Sequence, residues 1–369
     1  MIIMALDHVR DLMHVDSANS PTNLLTTTPV LFFTRAVTYL CAPAFVFLAG
    51  ASVYLSFQKQ KNISATRSFL IKRGLWLILL EFTLVNFGLF FDAGFHTLIF
   101  EVIATIGVGF IVLGLLLHLP ARSLGIIGLL IICCHNLSSY ISFGKGSILQ
   151  LLLSPGAIPL SSGFVFIMAY PPIPWLGIML VGFATGKLFM LPEEATRKRF
   201  LMGGVSALTL FVLLRAINVY GDAAPWSQQK SGAFTFLSFL NVTKYPPSLL
   251  FCLLTLGILF LIFAFTRRSP GSRAAGIVSV YGKVPMFYFL IHFYLIHLAL
   301  LFVLFLQGFG WTDLDFSSGA FGRPKGVQSG LPLWAVYLVW IAVVVILYKP
   351  CKWFARYKAS HTYQWLRYI

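Results

Sequence analysis

Charge is scarce in this chain. Asp, Glu, Lys and Arg make up 10% of the 369 residues, 58% are hydrophobic, and mean hydropathy is +0.86. A soluble domain carries about 25% charged residues, so a soluble globular fold is excluded. Acid is scarcer still, with 11 Asp and Glu against 27 Lys and Arg. A net charge of +16 would suggest nucleic acid in a soluble protein. No aromatic-basic RNA motif supports that, and no glycine-rich loop is present to cradle phosphates. The five cysteines, Cys41, Cys133, Cys134, Cys252 and Cys351, lack Cys-x-x-Cys or Cys/His spacing. They read as small residues of an apolar interior, and no metal is expected. No tandem repeat, inverted repeat or second soluble domain is visible. No basic stretch precedes the apolar residues 1–6, so no cleavable signal peptide is expected.

What the chain has instead is long apolar runs. A helix that crosses a bilayer needs about 20 largely apolar residues. The candidate spans are 1–13, 30–57, 74–91, 97–118, 121–141, 173–191, 200–219, 246–266, 284–307 and 332–349. The expectation is an all-α, polytopic membrane protein of about ten transmembrane helices, forming one domain over residues 1–369. The first helix is short. At about 1.5 Å per residue it rises roughly 20 Å, less than a hydrocarbon core. It is expected to lie partly sunk, or to begin upstream of Met1.

The basic residues between spans are lopsided. Nineteen of the Lys and Arg fall in one set of alternate segments, chiefly 58–73, 187–199, 267–283 and 349–369. The other set holds five: Lys145, Lys230, Lys244, Arg323 and Lys325. This asymmetry predicts cytoplasmic N- and C-termini in a plasma (bacterial inner) membrane. The outer loops 137–172, 220–245 and 308–331 are long and rich in Gly, Pro, Ser and aromatics, as functional loops often are. Residues 350–369 alternate aromatics with cations and read as a cytoplasmic interfacial tail on anionic lipid.

Ionisable residues at membrane depth are costly and mark function. They concentrate at the start: Asp7, His8, Arg10, Asp11 and His14. At about 100° per residue Asp7, Arg10 and Asp11 share a helix face. A histidine held by a carboxylate is a general base at neutral pH, so His8 with Asp7 or Asp11 forms the candidate catalytic group. The bland alternative is an ion-paired helix end. Arg35, near the outer end of the second span, is placed to pair with Asp7 or Asp11, or to snorkel to the interface. Pro43 predicts a kink in that span, and Phe47 to Ser52 offers small residues for helix contact. Glu81 and Glu101 need a partner or a proton, and structural pairing is the simpler reading for each. His292 falls near mid-bilayer. His297 is about 140° round the helix from it, so the two do not share one site. Tyr170-Pro-Pro and Tyr245-Pro-Pro each open a span and suggest related rims of an outer opening.

Several segments together resemble one family. They are Met4-Ala-Leu-Asp-His-Val-Arg-Asp11, Phe33-Thr-Arg35, Ala42-Pro-Ala-Phe-Val-Phe-Leu-Ala-Gly50, Tyr170-Pro-Pro-Ile-Pro-Trp175, Gly282-Lys-Val-Pro-Met-Phe-Tyr-Phe-Leu-Ile-His292, and Tyr348-Lys-Pro-Cys-Lys-Trp353 with Trp365-Leu-Arg-Tyr368. The chain resembles a bacterial member of the heparan-α-glucosaminide N-acetyltransferase-like membrane family. That resemblance implies a transmembrane acyltransferase fold. It also implies transfer of an acetyl or other acyl group from cytoplasmic acyl-CoA to a sugar amine or hydroxyl across the membrane. The family's polar box falls on Asp7 and His8. In the mammalian enzyme an asparagine stands at the place of His8 and its histidine lies in the following loop, where His14 is the nearest candidate here. An acidic and Arg-Gly motif that relatives carry upstream of the first span is absent.

On this reading His8, Asp7 and Asp11 are catalytic. Arg10, Arg35, His14, His292 and Glu81 are substrate-binding candidates. Lys72, Arg73, Arg267, Arg268 and Lys283 are candidates for the phosphates of acetyl-CoA or another acyl-CoA. Partners are membrane lipid, acyl-CoA, a glycan or sugar acceptor and a second copy of the chain, with no nucleic acid. The alternative is a transporter or flippase for a lipid-linked or sugar-like solute, using the same charges as a substrate path.

Overall fold

The computed structural model describes residues 1–15, 19–141, 144, 147–266, 271–317 and 319–368. Helices dominate: α1 Ile2–Met13, α2 Pro29–Thr38, α3 Cys41–Gln60, α4 Ile63–Leu80, α5 Asn86–Phe90, α6 Val102–Leu116, α7 Ala121–Cys134, α8 Ile148–Leu153 and α9 Pro172–Thr185. They continue with α10 Glu193–Ile217, α11 Gly232–Leu240, α12 Leu249–Phe265, α13 Arg273–Lys283, α14 Pro285–Leu306 and α15 Leu333–Ser360. The fold is not purely helical. Strands β1 Thr97–Phe100, β2 Gly156–Ser161 and β3 Phe164–Met168 form one sheet in the order β1-β3-β2, with β1 parallel and β2 antiparallel to β3.

Among the described residues six helical segments are long and apolar enough to cross a membrane: Pro29–Gln60, Ala121–Tyr140, Pro172–Met190, Glu193–Ile217, Pro285–Leu306 and Leu333–Ser360. The expected spans 1–13, 74–91, 97–118 and 246–266 fall on helices outside that set, so six stand where about ten were expected. The chain is a helical, multi-pass membrane protein. The segment expected as an interfacial tail is in large part the end of α15, which runs unbroken through Pro350 to Ser360. A short turn, Gln364–Arg367, then brings Tyr368 and Arg367 onto the ring of Phe69.

The predicted kink at Pro43 takes another form. The run breaks at Tyr39–Leu40, and Pro43 sits in the first turn of α3. A first-turn residue has no helical acceptor for its N–H, so proline costs nothing there. Farther along α3, Gly50 lies against α9. A Cβ at Gly50 would sit 2.0 Å from the Met179 carbonyl oxygen, and one at Gly182 would sit 2.1 Å from that of Phe47. With no side chain between them the backbones touch, as small residues allow between membrane helices. Gly50→Ala should therefore lower the thermal midpoint in detergent, at a cost of about 1–3 kcal/mol for overpacking. An unchanged midpoint would mean the two helices separate freely.

The sheet positions the site. Asn86 donates to the Thr97 carbonyl (2.9 Å) and accepts from the Ile99 N–H (3.0 Å), which fixes β1 beneath α5. β1 runs into Glu101, the residue before α6, and β3 runs into Tyr170, just before α9. The Ala169 and Tyr170 amides both donate to the Phe100 carbonyl, at 3.1 and 3.2 Å. Two residues far apart in sequence are thereby set side by side.

Candidate functional site

The polar residues of α1 open into a cavity of about 150 Å³. Asp7, His8 and Asp11 line one wall, Thr38 and Cys41 a second, and Glu101, Tyr170, Lys244 and Tyr245 a third. Phe321 closes one side, stacked on Phe90 with ring centroids 5.6 Å apart. Phe321 has a left-handed backbone (φ 59°) between two further positive-φ residues, Gly319 and Gly322. That conformation is strained for a bulky side chain and is met where a loop presents a group to a site.

Asp7 does not orient His8. Its carboxylate accepts from Arg10 Nη2 at 2.8 Å and from Arg35 Nη1, and Arg10 Nη2 also donates to Asp11 at 2.7 Å. All three groups of the Asp7 network are largely buried. Buried charges hold only when paired, and here two guanidiniums claim the acids. Arg35 therefore pairs with Asp7 rather than snorkelling. Neither arginine lines the cavity, so both are structural neighbours of it and not contact residues.

Among the described residues His8 makes no hydrogen bond to Asp7 or Asp11. Its ring instead meets His292 edge-on at 5.1 Å and Phe293 at 4.4 Å. His292 is fully buried. Its Nδ1 faces the Phe289 and Tyr288 carbonyls at 2.5 and 3.1 Å, so Nδ1 carries the proton. Nε2 then holds a lone pair, and among the described residues it has no hydrogen-bond partner. Two imidazoles in contact, one with a fixed tautomer, replace the expected carboxylate–histidine pair. His297 lies elsewhere, stacked on Phe91 at 3.9 Å with Nδ1 against the Leu89 carbonyl.

Other candidates are not brought to the cavity. Glu81 lies in a π-helical turn, and its Oε2 accepts from the Ala104 N–H at 2.8 Å. It caps the unsatisfied amides at the start of α6, a structural use of a buried acid. His14 ends α1. Its carbonyl accepts from Arg323 Nη1 at 3.0 Å, while Leu331 N–H donates to the Met13 carbonyl, so this end of the helix is tied to the loop before α15. Lys72 and Lys283 are exposed, and Arg73 lies between the rings of Phe69 and Phe110. Arg267 and Arg268 lie outside the described residues.

Glu101 and Lys244 were not singled out as site residues by their sequence context. Sequence alone favours structural pairing for Glu101 and places Lys244 only among the outer-loop cations. Asp222 holds the Lys244 loop by accepting from Thr243 N–H (2.8 Å), Thr243 Oγ1 (2.7 Å) and Ser248 Oγ (2.6 Å). The two tyrosines judged to be rims do meet, with hydroxyls 3.3 Å apart. Burial, and then the neighbouring Tyr245, hold the Tyr170 phenol well above its usual value, so it stays a neutral hydroxyl.

The cavity wall from Asp7 to Tyr170 falls within residues 1–217, which match the sequence model of the heparan-α-glucosaminide N-acetyltransferase catalytic family. The chain belongs to that family. Lys244, Tyr245 and Phe321 lie beyond the matched stretch and complete the same cavity in this acetyltransferase family member, and His292, also beyond it, backs His8 from behind the wall. Comparisons with curated proteins and with solved structures find no match.

Proposed function

We propose that the chain is a membrane acyltransferase that moves an acetyl group from acetyl-CoA to a sugar amine or hydroxyl held in this cavity. The observation that carries the reading is the placing of the family's Asp7–His8 box on the wall of a polar cavity. Among the described residues His8 is the one imidazole that lines it. It takes the proton from the acceptor nitrogen or oxygen as that atom attacks the thioester carbonyl. His292 backs His8 with an uncommitted lone pair. Of the Tyr170 and Tyr245 hydroxyls one donates to the other, which leaves one O–H for the oxygen that gains charge in the transition state. The proton lost by the acceptor leaves with the CoA thiolate.

The donor side is proposed to be the cytoplasmic, basic side of a plasma membrane, with both termini there. Lys72, Arg73 and Lys283 remain candidates for the CoA phosphates. The test uses purified protein in liposomes, labelled acetyl-CoA on one side and glucosamine on the other. Acetylated glucosamine should accumulate and depend on the protein. Glucosamine crossing the bilayer unmodified, with no label transferred, would replace the acyltransferase with a transporter.

A further inference from the structure

An amine acceptor has two protons to lose, and His8 takes one of them. A primary amine with a pKa of about 8–10 reaches the cavity as an ammonium at neutral pH. An ammonium has no lone pair, so it is discharged before it attacks a thioester. The proton released during the attack goes to His8, which leaves the first proton without a base.

Among the described residues three carboxylates line the cavity: Asp7, Asp11 and Glu101. Asp7 and Asp11 are bound by guanidiniums, which makes them weak bases. Among the described residues no group donates a hydrogen bond to the Glu101 carboxylate, so its oxygens stay open to a ligand. Lys244 is the charge that acts on it most strongly, from beyond ion-pair contact. The rings of Tyr245, Tyr170 and Tyr39 hold that ammonium in place, with centroids 4.8, 5.7 and 5.9 Å away. Asp11, Asp7 and Arg35 act on Glu101 more weakly, and Glu81 and Tyr170 also feel its charge. Burial raises the Glu101 carboxyl above its usual range, and the Lys244 ammonium opposes that rise. A carboxylate so placed accepts a proton more readily than an exposed one and, with a cation beside it, gives the proton up again.

We propose that Glu101 is the base that discharges the acceptor's ammonium, and that Lys244, acting through Glu101, is the positioning residue that returns it to the carboxylate. This rests on the acyltransferase reading. One N–H bond of the ammonium breaks, its proton goes to a Glu101 oxygen, and the electron pair stays on nitrogen. That pair forms the bond to the acetyl carbon. The carbon–sulfur bond breaks, and its pair stays on sulfur. The second proton passes to His8 and then to the thiolate. The first leaves Glu101 for water, because Lys244 favours the carboxylate. Ammonium and acetyl-CoA thus become amide, CoA and one free proton.

The experiment follows kcat/KM for acetyl transfer to glucosamine between pH 6 and 9, with purified protein in detergent. Glu101→Gln should fall about 100-fold below wild type at pH 6, the cost of a lost base. It should approach wild type at pH 9, where more of the amine is already neutral. Glu101→Asp should keep part of the rate at pH 6. Lys244→Met should move the acid limb of the profile to higher pH, since the Glu101 carboxyl then holds its proton longer. A Glu101→Gln deficit that is equal at every pH, or an unmoved acid limb in Lys244→Met, overturns the proposal. Difference infrared spectra with glucosamine added at pH 8, without acetyl-CoA, separate a base from a docking carboxylate. Wild type should gain a protonated-carboxyl band that Glu101→Gln lacks. Glucosamine bound without that band also overturns the proposal. If wild type acetylates nothing, the acyltransferase reading fails by itself, and the infrared band decides whether Glu101 takes the proton.

Discussion

His8→Ala should lose roughly 10²- to 10⁴-fold in acetyl transfer, the usual cost of a missing general base. The protein should stay folded, because the His8 ring is held by edge contacts with His292 and Phe293 and not by a buried ion pair. Transfer rates of wild type and variant, matched for amount and thermal midpoint, check this. Equal rates would take His8 out of the reaction and leave His292, whose Nε2 is unpartnered, as the imidazole to test next.

Asp7→Ala should act on stability more than on chemistry. The carboxylate joins α1 to α2 through Arg35 and balances Arg10 within its own helix. Arg10 retains Asp11, whereas Arg35 is left as a buried charge with no acid. Removing one partner of a buried pair costs about 3–5 kcal/mol. Thermal unfolding in detergent measures the loss. The double variant Asp7→Ala with Arg35→Met should recover much of it, since the stranded charge is gone. A double variant no more stable than Asp7→Ala would show that Arg35 reaches solvent when unpaired.

The sequence pointed to α1 because charge in an apolar run is conspicuous. Asp7, Arg10, Asp11 and Arg35 do form one cluster, and helical spacing alone brought three of them to one face. What spacing could not say was which acid each cation would take. His8 lost its expected carboxylate to two arginines, and the competition is settled by the approach of α2, a tertiary event. Glu81 was a reasonable substrate candidate by depth. It became a cap because α6 starts beside it. Glu101 and Lys244 were hidden for another reason. They reach the cavity from loops whose positions are set by the pairing of β1 with β3 and by Asp222, contacts between residues far apart in the chain. Six of the ten expected spans followed from hydropathy. The small sheet did not: β2 and β3 lie in the expected outer loop 137–172, and β1 opens the segment expected as the span 97–118.

The close approach of α3 and α9 has a consequence for acceptor choice. Carbonyl oxygens that would lie about 2 Å from an added methyl leave no room for one helix to roll on the other. Cys41 stands where α3 begins, Thr38 ends α2 just before it, and Tyr170 stands just ahead of α9. That side of the cavity behaves as the fixed jaw of a vice, with its width set by the main chain itself. Another side is the Phe321 turn, which is stacked on Phe90 and flanked by two positive-φ glycines. On the proposed function, a larger acceptor should therefore be accommodated at Phe321 and not between the α3 and α9 ends.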